Sequence, residues 1–262
     1  MNEEISNRIS ILREIVRDAG DAILKYYGED LAVDAKADNS PLTQADVASH
    51  QLIVARLREA FPEIPIVSEE DNRRLKDTGI ASRFWLVDPM DGTKEFIKQT
   101  GSFTVNIGLI ESGIPTLGII YVPVSGLTYW AERSAGAWKC EANGEPVRIS
   151  AATAGDSLRF VASRDHAGAD VKALVARFPE AECLSIGSSL KFCLIAEGAA
   201  DIYLRDVPTM EWDTAAAQAI VAAAGGEVYT HPSHVSLTYG KSEFRNGALL
   251  TVGDRDLVKR LF

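Results

Sequence analysis

Residues 85–93 of the chain read Trp85-Leu86-Val87-Asp88-Pro89-Met90-Asp91-Gly92-Thr93. An apolar segment typical of a buried strand ends here at two aspartates, and a Gly-Thr turn follows. A second short apolar run, 64–67, ends at the acidic segment Ser68-Glu69-Glu70-Asp71. Two such strand ends would bring several carboxylates together, and like charges about 4 Å apart repel by roughly 4 kcal/mol at an effective dielectric constant near 20. Divalent cations relieve this repulsion, so the pattern predicts a site for a hard metal ion.

The composition is that of an ordinary globular protein with an acidic charge balance. Apolar residues make up 46% of the 262 positions and charged residues 24%, enough for one large core or two abutting subdomains. The formal net charge is −10 and no block of lysine and arginine occurs, which argues against a nucleic-acid-binding role. An acidic protein attracts anions poorly, so a phosphate ligand needs a metal ion or a lysine beside it.

The three cysteines, at positions 140, 183 and 193, form neither a CxxC motif nor an even set. This argues against a disulfide framework or a zinc knuckle and favours a reducing compartment. The first residues are polar and acidic, and no stretch approaches the roughly 20 apolar residues that span a bilayer. We therefore expect a cytoplasmic protein without a transmembrane segment; peripheral association with the inner membrane and the oligomeric state stay open.

Hydrophobic periodicity predicts two helices and then a sheet in the first half. Apolar residues recur at helical spacing over 5–23, and Gly28 ends this helix. A second helix begins at Thr43, which forms a capping-box arrangement with Asp46, and Pro62 ends it. Apolar runs predict strands at 64–67, 85–87, 103–109, 114–124 and 127–131, the last three as an antiparallel meander with a turn at 111–113.

The second half alternates strands and helices, which indicates an α/β layer. Strands are expected at 159–162, 184–186 and 201–204 and near residues 228 and 249, and helices at 169–178, 189–197 and 213–224. Gly225-Gly226 ends the last of these helices. Turn-like residues over 140–155 separate the two halves. We therefore divide the chain into an N-terminal α+β half, 1–145, and a C-terminal α/β half, 146–262.

Oxygen atoms at the two strand ends suit magnesium, which takes a near-octahedral shell of oxygen ligands and keeps several waters. The carboxylates of Glu69, Asp88 and Asp91 are the candidates, and the Met90 carbonyl would add another oxygen. Turn chemistry explains each aspartate singly, because Asp-Pro and Asp-Gly are common turn sequences. The joint occurrence of two acidic strand ends and Gly-Thr favours the metal.

Two further aspartates have two explanations each. Asp213 stands before an alanine-rich helix, where it would be an N-cap, or would hold a metal-bound phosphate at the helix N-terminus. Asp46 is accounted for by its capping role, yet the same ambiguity applies to it. The residues themselves leave both aspartates undecided.

Three motifs resemble the signature elements of the inositol monophosphatase superfamily of magnesium-dependent, lithium-sensitive phosphatases, in the same order and spacing. They are Glu69-Glu70, Asp88-Pro89-Met90-Asp91-Gly92-Thr93 and Glu211-Trp212-Asp213-Thr214-Ala215-Ala216. One branch, the bacterial CysQ-type 3′(2′),5′-bisphosphate nucleotidases, is closer still. The segments similar to that branch are Lys36-Ala37-Asp38, Ser40-Pro41-Leu42-Thr43, Asp91-Gly92-Thr93-Lys94-Glu95-Phe96-Ile97 and Ser185-Ile186-Gly187-Ser188-Ser189-Leu190-Lys191-Phe192-Cys193.

The resemblance implies an α/β (α+β) fold, a layered α-β-α-β-α sandwich with a metal site between its two halves. It also implies two or three Mg²⁺ ions, held by Glu69, Asp88, the Met90 carbonyl, Asp91 and Asp213. The family usually has Leu or Ile at the position of Met90. Since only the backbone oxygen is used there, this departure should matter little.

The reaction implied is hydrolysis of a phosphate monoester by in-line attack of a metal-bound water. Thr93 would hydrogen-bond that water. Asp46 would be the general base, and Glu69 is the rival for this role. Backbone N–H groups around Gly92 would hold the phosphate if a helix begins there.

The implied substrate is adenosine 3′,5′-bisphosphate, hydrolysed to AMP and phosphate, with 3′-phosphoadenylyl sulfate as a second substrate and a link to sulfur metabolism. The substrate-binding residues would be Glu69, Asp91, Gly92, Thr93, Ser188, Lys191 and Asp213. Lys191 would meet the second phosphate, or would be a solvated helix lysine; Ser188 and Ser189 would contact substrate or cap that helix. Lys94, Lys241 and Arg245 are weaker candidates. An inositol monophosphatase with the same metals is the alternative function.

Overall fold

The computed structural model describes residues 3–28, 34–35, 41–42, 44–74, 81–162 and 168–262. The helices in these ranges are α1 (Glu3–Leu24), α2 (Gln44–Ala60), α3 (Thr93–Ile97), α4 (Ala169–Ala176), α5 (Leu190–Ala196), α6 (Ala215–Ala223) and α7 (Leu257–Leu261), with a 3₁₀ helix at Glu69–Arg74. The strands are β1 (Asp34–Ala35), β2 (Pro41–Leu42), β3 (Ile66–Ser68), β4 (Arg83–Asp91), β5 (Thr104–Glu111), β6 (Ile114–Val122), β7 (Leu127–Glu132), β8 (Gly136–Cys140), β9 (Val147–Ile149), β10 (Arg159–Ala162), β11 (Glu182–Ser185), β12 (Ile202–Arg205), β13 (Thr209–Met210), β14 (Glu227–Thr230), β15 (Arg245–Asn246) and β16 (Leu249–Val252). Within the same ranges, no helix has the length and apolar character needed to cross a membrane.

Two large sheets organise the described chain. The first has seven strands in the order β3-β4-β5-β6-β7-β8-β9, with β3 parallel to β4 and every later pair antiparallel. The second has five strands in the order β11-β10-β12-β16-β14, with a parallel core and two antiparallel pairs. Two-stranded pairs β1-β2 and β13-β15 lie outside these sheets.

In the described residues, three hydrophobic cores join five layers. The first core joins α1 and α2 to one face of the seven-stranded sheet, where Leu12 and Trp85 are both fully buried. The second joins the other face of that sheet to α5, α6 and the inner face of the five-stranded sheet. The third joins the outer face of the five-stranded sheet to α4 and α7. This order of layers confirms the predicted α-β-α-β-α sandwich.

The periodic segments of the sequence are confirmed as helices and strands. The buried residues of α1 recur at the predicted spacing, but this helix ends at Leu24, four residues before the predicted end at Gly28. Gly225 follows the end of α6 and has a positive φ value, as a residue that ends a helix often does. The antiparallel meander of β5, β6 and β7 is confirmed as well. The strand predicted at 64–67 lies instead at β3, two residues later at its start. Thr43, the predicted N-cap of α2, lies outside the described residues.

Several short elements escaped prediction. Strands β13 and β15 and helix α7 have at most five residues each, too few for a periodic pattern to show. Strand β9 lies just past the predicted division between residues 145 and 146 and pairs with β8 in the first sheet. The division into two halves stays a prediction, and α6 of the second half packs on β5 and β6 of the first.

Candidate functional site

The two aspartates of the opening segment lie within strand β4 rather than after it. Asp88 pairs with Asn106 and Asp91 with Thr104, so three residues along β4 match two along β5. This extra residue is a β-bulge, which re-aims side chains at the end of a strand. Asp88 is 1% exposed, and its Oδ1 accepts a hydrogen bond from the Met90 N–H at 3.1 Å. The prediction that the strand stops before the aspartates is wrong, because pairing with β5 resumes beyond the bulge.

Helix α2 supplies the next buried polar groups. Ser49 Oγ donates to the Pro89 carbonyl at 2.8 Å and so fixes the helix to the bulge. Asp46 lies one turn earlier on the same face of α2 and is 1% exposed. His50 Nδ1 lies 2.9 Å from Ser68 Oγ, which ties α2 to the segment that carries Glu69. One helix thus connects both acidic strand ends.

Asp213 does not cap the alanine-rich helix. Helix α6 begins at Ala215 with Thr214 as its N-cap residue, and no side chain caps it. The Asp213 Oδ2 atom instead accepts a hydrogen bond from the Met210 N–H, 2.9 Å away. The N-cap interpretation is therefore wrong, because the carboxylate is held by the turn that precedes the helix. From this turn Asp213 lines a cleft together with Asp91.

The acidic side chains act on one another electrostatically. Burial raises the pKa of Asp88 well above its usual range. The carboxylates that add to this effect are, in decreasing order, those of Glu69, Asp91, Asp213 and Asp46. Burial, followed by the charges of Asp91 and Glu69, raises the pKa of Asp213 to about 8. The structure thus brings the five predicted carboxylates into one electrostatic cluster.

The donor set of this cluster fits a hard cation. All five side chains offer oxygen atoms, and a cation would offset the repulsion that adds to the effect of burial on the pKa of Asp88. Among the described residues, no three His, Cys, Asp or Glu side chains already stand at metal-binding spacing.

A cleft contains two members of this acidic cluster, Asp91 and Asp213, together with cationic side chains. We call the cations Lys94, Lys191 and Arg205 the cationic wall. The lining residues of the cleft are Asp91, Gly92, Lys94, Glu95, Ser188, Ser189, Lys191, Phe192, Tyr203, Arg205, Thr209, Asp213 and Thr214. Thr93 is the first residue of α3, directly after Gly92, whose φ of 95° favours glycine. From the sequence, backbone N–H groups around Gly92 were expected to hold the phosphate if a helix begins there. That helix is present as α3.

Lys191 is buried, with 5% of its surface exposed. Its Nζ donates to the Ser188 carbonyl at 2.6 Å, and burial lowers the pKa of the amine to about 8. The interpretation of Lys191 as a solvated helix lysine is therefore wrong. Phe192 packs edge-on against Tyr203, with ring centroids 5.1 Å apart, and belongs to the hydrophobic core.

Ser189 links the metal-ligand candidates to the cationic wall. Its Oγ lies 2.8 Å from Asp91 Oδ2 and 3.0 Å from the Asp213 carbonyl oxygen. The Asn106 amide donates to the same Oγ at 3.0 Å. No side-chain hydrogen bond caps α5, so Ser189 orients the acidic cluster instead of capping the helix.

Arg205 is a cleft residue that the sequence analysis missed. It ends strand β12 and lines the cleft beside Lys191. The sequence did contain a sign of this role, namely a charged residue directly after a predicted strand. Arg205 follows the predicted strand 201–204, as Asp88 follows its own apolar run. Lys94 also lines the cleft, whereas Lys241 forms an ion pair with Glu211 at 2.9 Å.

A buried polar network holds the turn that carries Asp213. Glu211 is fully buried, and its two carboxylate oxygens accept from the Gly240 N–H, the Lys241 N–H and Lys241 Nζ. Lys241 Nζ also donates to Asn246 Oδ1 at 3.0 Å. The Asn246 amide in turn lies 2.9 Å from Thr214 Oγ1. This network fixes both ends of the turn from residue 209 to residue 214.

Sequence comparison places this arrangement among known proteins. A model of the inositol monophosphatase family matches residues 4–254. The 3′(2′),5′-bisphosphate nucleotidase CysQ of Escherichia coli strain K12 is 48% identical over 218 residues, which cover 82% of this chain and 87% of that protein. The CysQ protein of Haemophilus influenzae is 32% identical over 97% of this chain and 95% of its own length.

Solved structures agree with the sequence relatives. The crystal structure of CysQ from Bacteroides thetaiotaomicron is similar to this chain with a TM-score of 0.81 and 40% identity, covering 95% of this chain and 98% of that one. An inositol monophosphatase from Thermotoga maritima has a TM-score of 0.80 at 22% identity, over 97% of this chain and 95% of its own, which supports the fold alone.

Proposed function

The chain belongs to the inositol monophosphatase family, and on that premise we propose that it is a 3′(2′),5′-bisphosphate nucleotidase. Its reaction would be adenosine 3′,5′-bisphosphate plus water giving AMP and phosphate. The observation that carries this proposal is the cleft, which is lined both by Asp91 and Asp213 of the acidic cluster and by the cations Lys191 and Arg205. A substrate with two phosphates needs both kinds of group.

Two or three magnesium ions would bind at the acidic cluster. The groups that would hold them are the carboxylates of Glu69, Asp88, Asp91 and Asp213 and the Met90 carbonyl. When bound, such ions polarise a phosphoryl group, lower the pKa of bound water and stabilise the leaving oxygen. The pKa shifts of Asp88 and Asp213 support this assignment, since a cation removes the repulsion that causes part of each shift.

Three side chains would position the attacking water and accept its proton. Thr93 Oγ1, at the start of α3, holds the water in line with the phosphorus atom. Asp46 takes the proton on its carboxylate, and its burial on α2 beside the bulge supports this role. Glu69 is the rival base. The backbone N–H groups of Gly92 and Thr93 would donate hydrogen bonds to the phosphate oxygens.

The second phosphate binds at the cationic wall. The Lys191 ammonium and the Arg205 guanidinium supply the charge, and Arg205 offers two N–H groups to one phosphate. Ser188 lies on the cleft next to them. The same wall would accept the 5′-phosphosulfate of 3′-phosphoadenylyl sulfate, which is our proposed second substrate. The free cysteines support a reducing, cytoplasmic compartment for the reaction.

The alternative function, inositol monophosphatase, would need the acidic cluster but not the cationic wall. An inositol ring carries no second phosphate, so it gives no reason to bury a lysine in the cleft wall. A desolvated cation costs free energy, and an anionic partner offsets that cost. Buried Lys191 therefore favours the bisphosphate.

A phosphate-release assay tests the proposal. The purified protein is given adenosine 3′,5′-bisphosphate, 3′-phosphoadenylyl sulfate, inositol 1-phosphate and fructose 1,6-bisphosphate, each with Mg²⁺, with Mg²⁺ plus Li⁺, or with a chelator. We expect the adenosine bisphosphate to be hydrolysed fastest, with activity lost in the chelator and reduced by Li⁺. Fastest turnover of inositol 1-phosphate would contradict the proposed substrate, and full activity in the chelator would contradict the metal.

A further inference from the structure

The Glu95 carboxylate lies in the cleft wall between two glycines. A Cβ atom at Gly187 would stand 2.8 Å from Glu95 Oε1, and one at Gly92 would stand 3.2 Å from Oε2. Both positions thus leave room for this side chain. Within the described part of the chain, no hydrogen bond or ion pair is formed by the Glu95 carboxylate. The proposed mechanism gives Glu95 no role.

The chemistry of a carboxylate limits what Glu95 can bind. An ionised carboxylate only accepts hydrogen bonds. A phosphate oxygen at about 4 Å would be repelled by roughly 4 kcal/mol at an effective dielectric constant near 20. Within the described residues Glu95 forms no ion pair with the nearby cation Lys191, whose Nζ donates to the Ser188 carbonyl. The natural partner of Glu95 is therefore a neutral O–H or N–H group of the substrate.

The position of Glu95 selects between the donors of a nucleotide. Glu95 lies on α3, and its Oε2 would stand 3.2 Å from a Cβ atom at Gly92, whose backbone N–H is proposed to hold the reacting phosphate. The ribose hydroxyl vicinal to that phosphate is the closest donor, whereas the exocyclic amine of adenine lies at the other end of the nucleoside. Either regioisomer presents such a hydroxyl, the 2′-OH beside a 3′-phosphate and the 3′-OH beside a 2′-phosphate.

We propose that Glu95 is a specificity-determining residue that accepts a hydrogen bond from the ribose hydroxyl vicinal to the phosphate being removed. This inference rests on the proposed nucleotidase function. It assigns Glu95 to recognition of the sugar, apart from the groups that hold the metal and the second phosphate. A site that binds a substrate hydroxyl discriminates against the analogue lacking it, because its acceptor is then left unpaired.

The test compares adenosine 3′,5′-bisphosphate with its 2′-deoxy analogue. The enzymes are the unchanged protein, Glu95→Ala, Glu95→Gln and the control Glu145→Ala, which makes the same truncation at an exposed turn. We expect the unchanged protein and the control to prefer the ribonucleotide by about 10- to 100-fold in kcat/KM, the size expected for one hydrogen bond to a charged group. Glu95→Ala should lose this preference through slower turnover of the ribonucleotide alone, and Glu95→Gln should keep part of it through its remaining acceptor oxygen.

Two further readouts separate recognition from structure. The melting temperature and its increase on adding Mg²⁺ should be the same in Glu95→Ala and the unchanged protein. An unaltered ribonucleotide preference in Glu95→Ala would overturn the inference, as would an equal loss on both nucleotides. If the unchanged protein hydrolyses neither nucleotide, the proposed function itself fails and this inference fails with it.

Discussion

Gly108 and Gly118 lie directly opposite each other on neighbouring strands, and helix α6 packs into the space that their missing side chains leave. A Cβ atom at Gly108 would stand 2.9 Å from both the Ala215 Cβ and the Ala216 nitrogen. One at Gly118 would overlap the Ala216 carbonyl. The pair therefore sets how closely the first turn of α6 approaches the sheet, and this turn begins two residues after Asp213.

Replacing Gly118 by alanine should push α6 away from the sheet and displace Asp213. Overpacking of this kind costs roughly 1–3 kcal/mol, so we expect a loss of that size in the free energy of unfolding. The increase in melting temperature caused by Mg²⁺ should also shrink. Denaturant unfolding and thermal melts with and without Mg²⁺ measure both effects.

Gly155→Ala is the matched control, because a Cβ there meets nothing within 4 Å. It should leave stability and the Mg²⁺ effect unchanged. Normal stability and normal Mg²⁺ response in Gly118→Ala would mean that the close approach of α6 does not position Asp213.

Replacing Asp91 by asparagine should lower kcat/KM by more than about 100-fold, because even partners behind a metal ligand are worth 10- to 100-fold. The fold should survive, since the amide keeps the shape of the side chain and removes one charge from a repelling cluster. Without Mg²⁺ the variant should melt at the same temperature as the unchanged protein or slightly higher. Its stabilisation by Mg²⁺ should be much smaller.

Asp156→Asn, an identical exchange at an exposed loop position, serves as its control. Retained turnover in Asp91→Asn would refute the assignment of Asp91 as a ligand. A strongly destabilised variant would show that Asp91 serves the fold instead.

The pKa of Lys191 makes binding of the second phosphate dependent on pH. Its value of about 8 means that the free protein carries the positive charge below about pH 8 and loses it above. We therefore expect kcat/KM for adenosine 3′,5′-bisphosphate to fall as the pH rises through 8, since this parameter reports groups of the free enzyme. Adenosine 3′-monophosphate, which lacks the second phosphate, should not show this fall. Identical pH profiles for both substrates would contradict the role of Lys191.

Replacing Lys241 by methionine should destabilise the protein without acting on the substrate directly. The change removes the ion-pair partner of Glu211, which is fully buried but keeps its two backbone N–H donors. Because the Lys241 side chain is 37% exposed, we expect a loss of about 1.5–3 kcal/mol, the range for a hydrogen bond to a charged group. The double variant Glu211→Gln/Lys241→Met should recover part of this loss, because no unpaired charge remains. Denaturant unfolding measures each step. A loss below about 1 kcal/mol in the single variant would show that the network around Lys241 contributes little.

The elements that sequence reasoning predicted are those whose pattern is local. Helix α1 and the meander of β5–β7 bury residues at regular spacing, so periodicity identifies them. Glu69, Asp88 and Asp91 could be named because each follows an apolar run, whereas Asp46 and Asp213 had two explanations each. The motifs then joined them to a known family.

What sequence reasoning missed depends on contacts between distant segments. Asp213 resembled an N-cap, but its hydrogen bond comes from the Met210 N–H in a turn that is stabilised by the distant β13-β15 pair and by Asn246. The bulge between Asp88 and Asp91 depends on pairing with β5. The burial of Lys191 was not predicted. It results from the position of α5 between the two sheets, and the seven residues of this helix carry no information about that position.

The central claim is that one cleft recognises two phosphates and removes one of them. A ³¹P-NMR time course on an equimolar mixture of adenosine 3′,5′-bisphosphate and inositol 1-phosphate, with Mg²⁺ and a single preparation of the protein, tests it most directly. We predict that the adenosine bisphosphate signals disappear first and are replaced by those of AMP and inorganic phosphate. Disappearance of inositol 1-phosphate first, with the nucleotide left intact, would contradict the account.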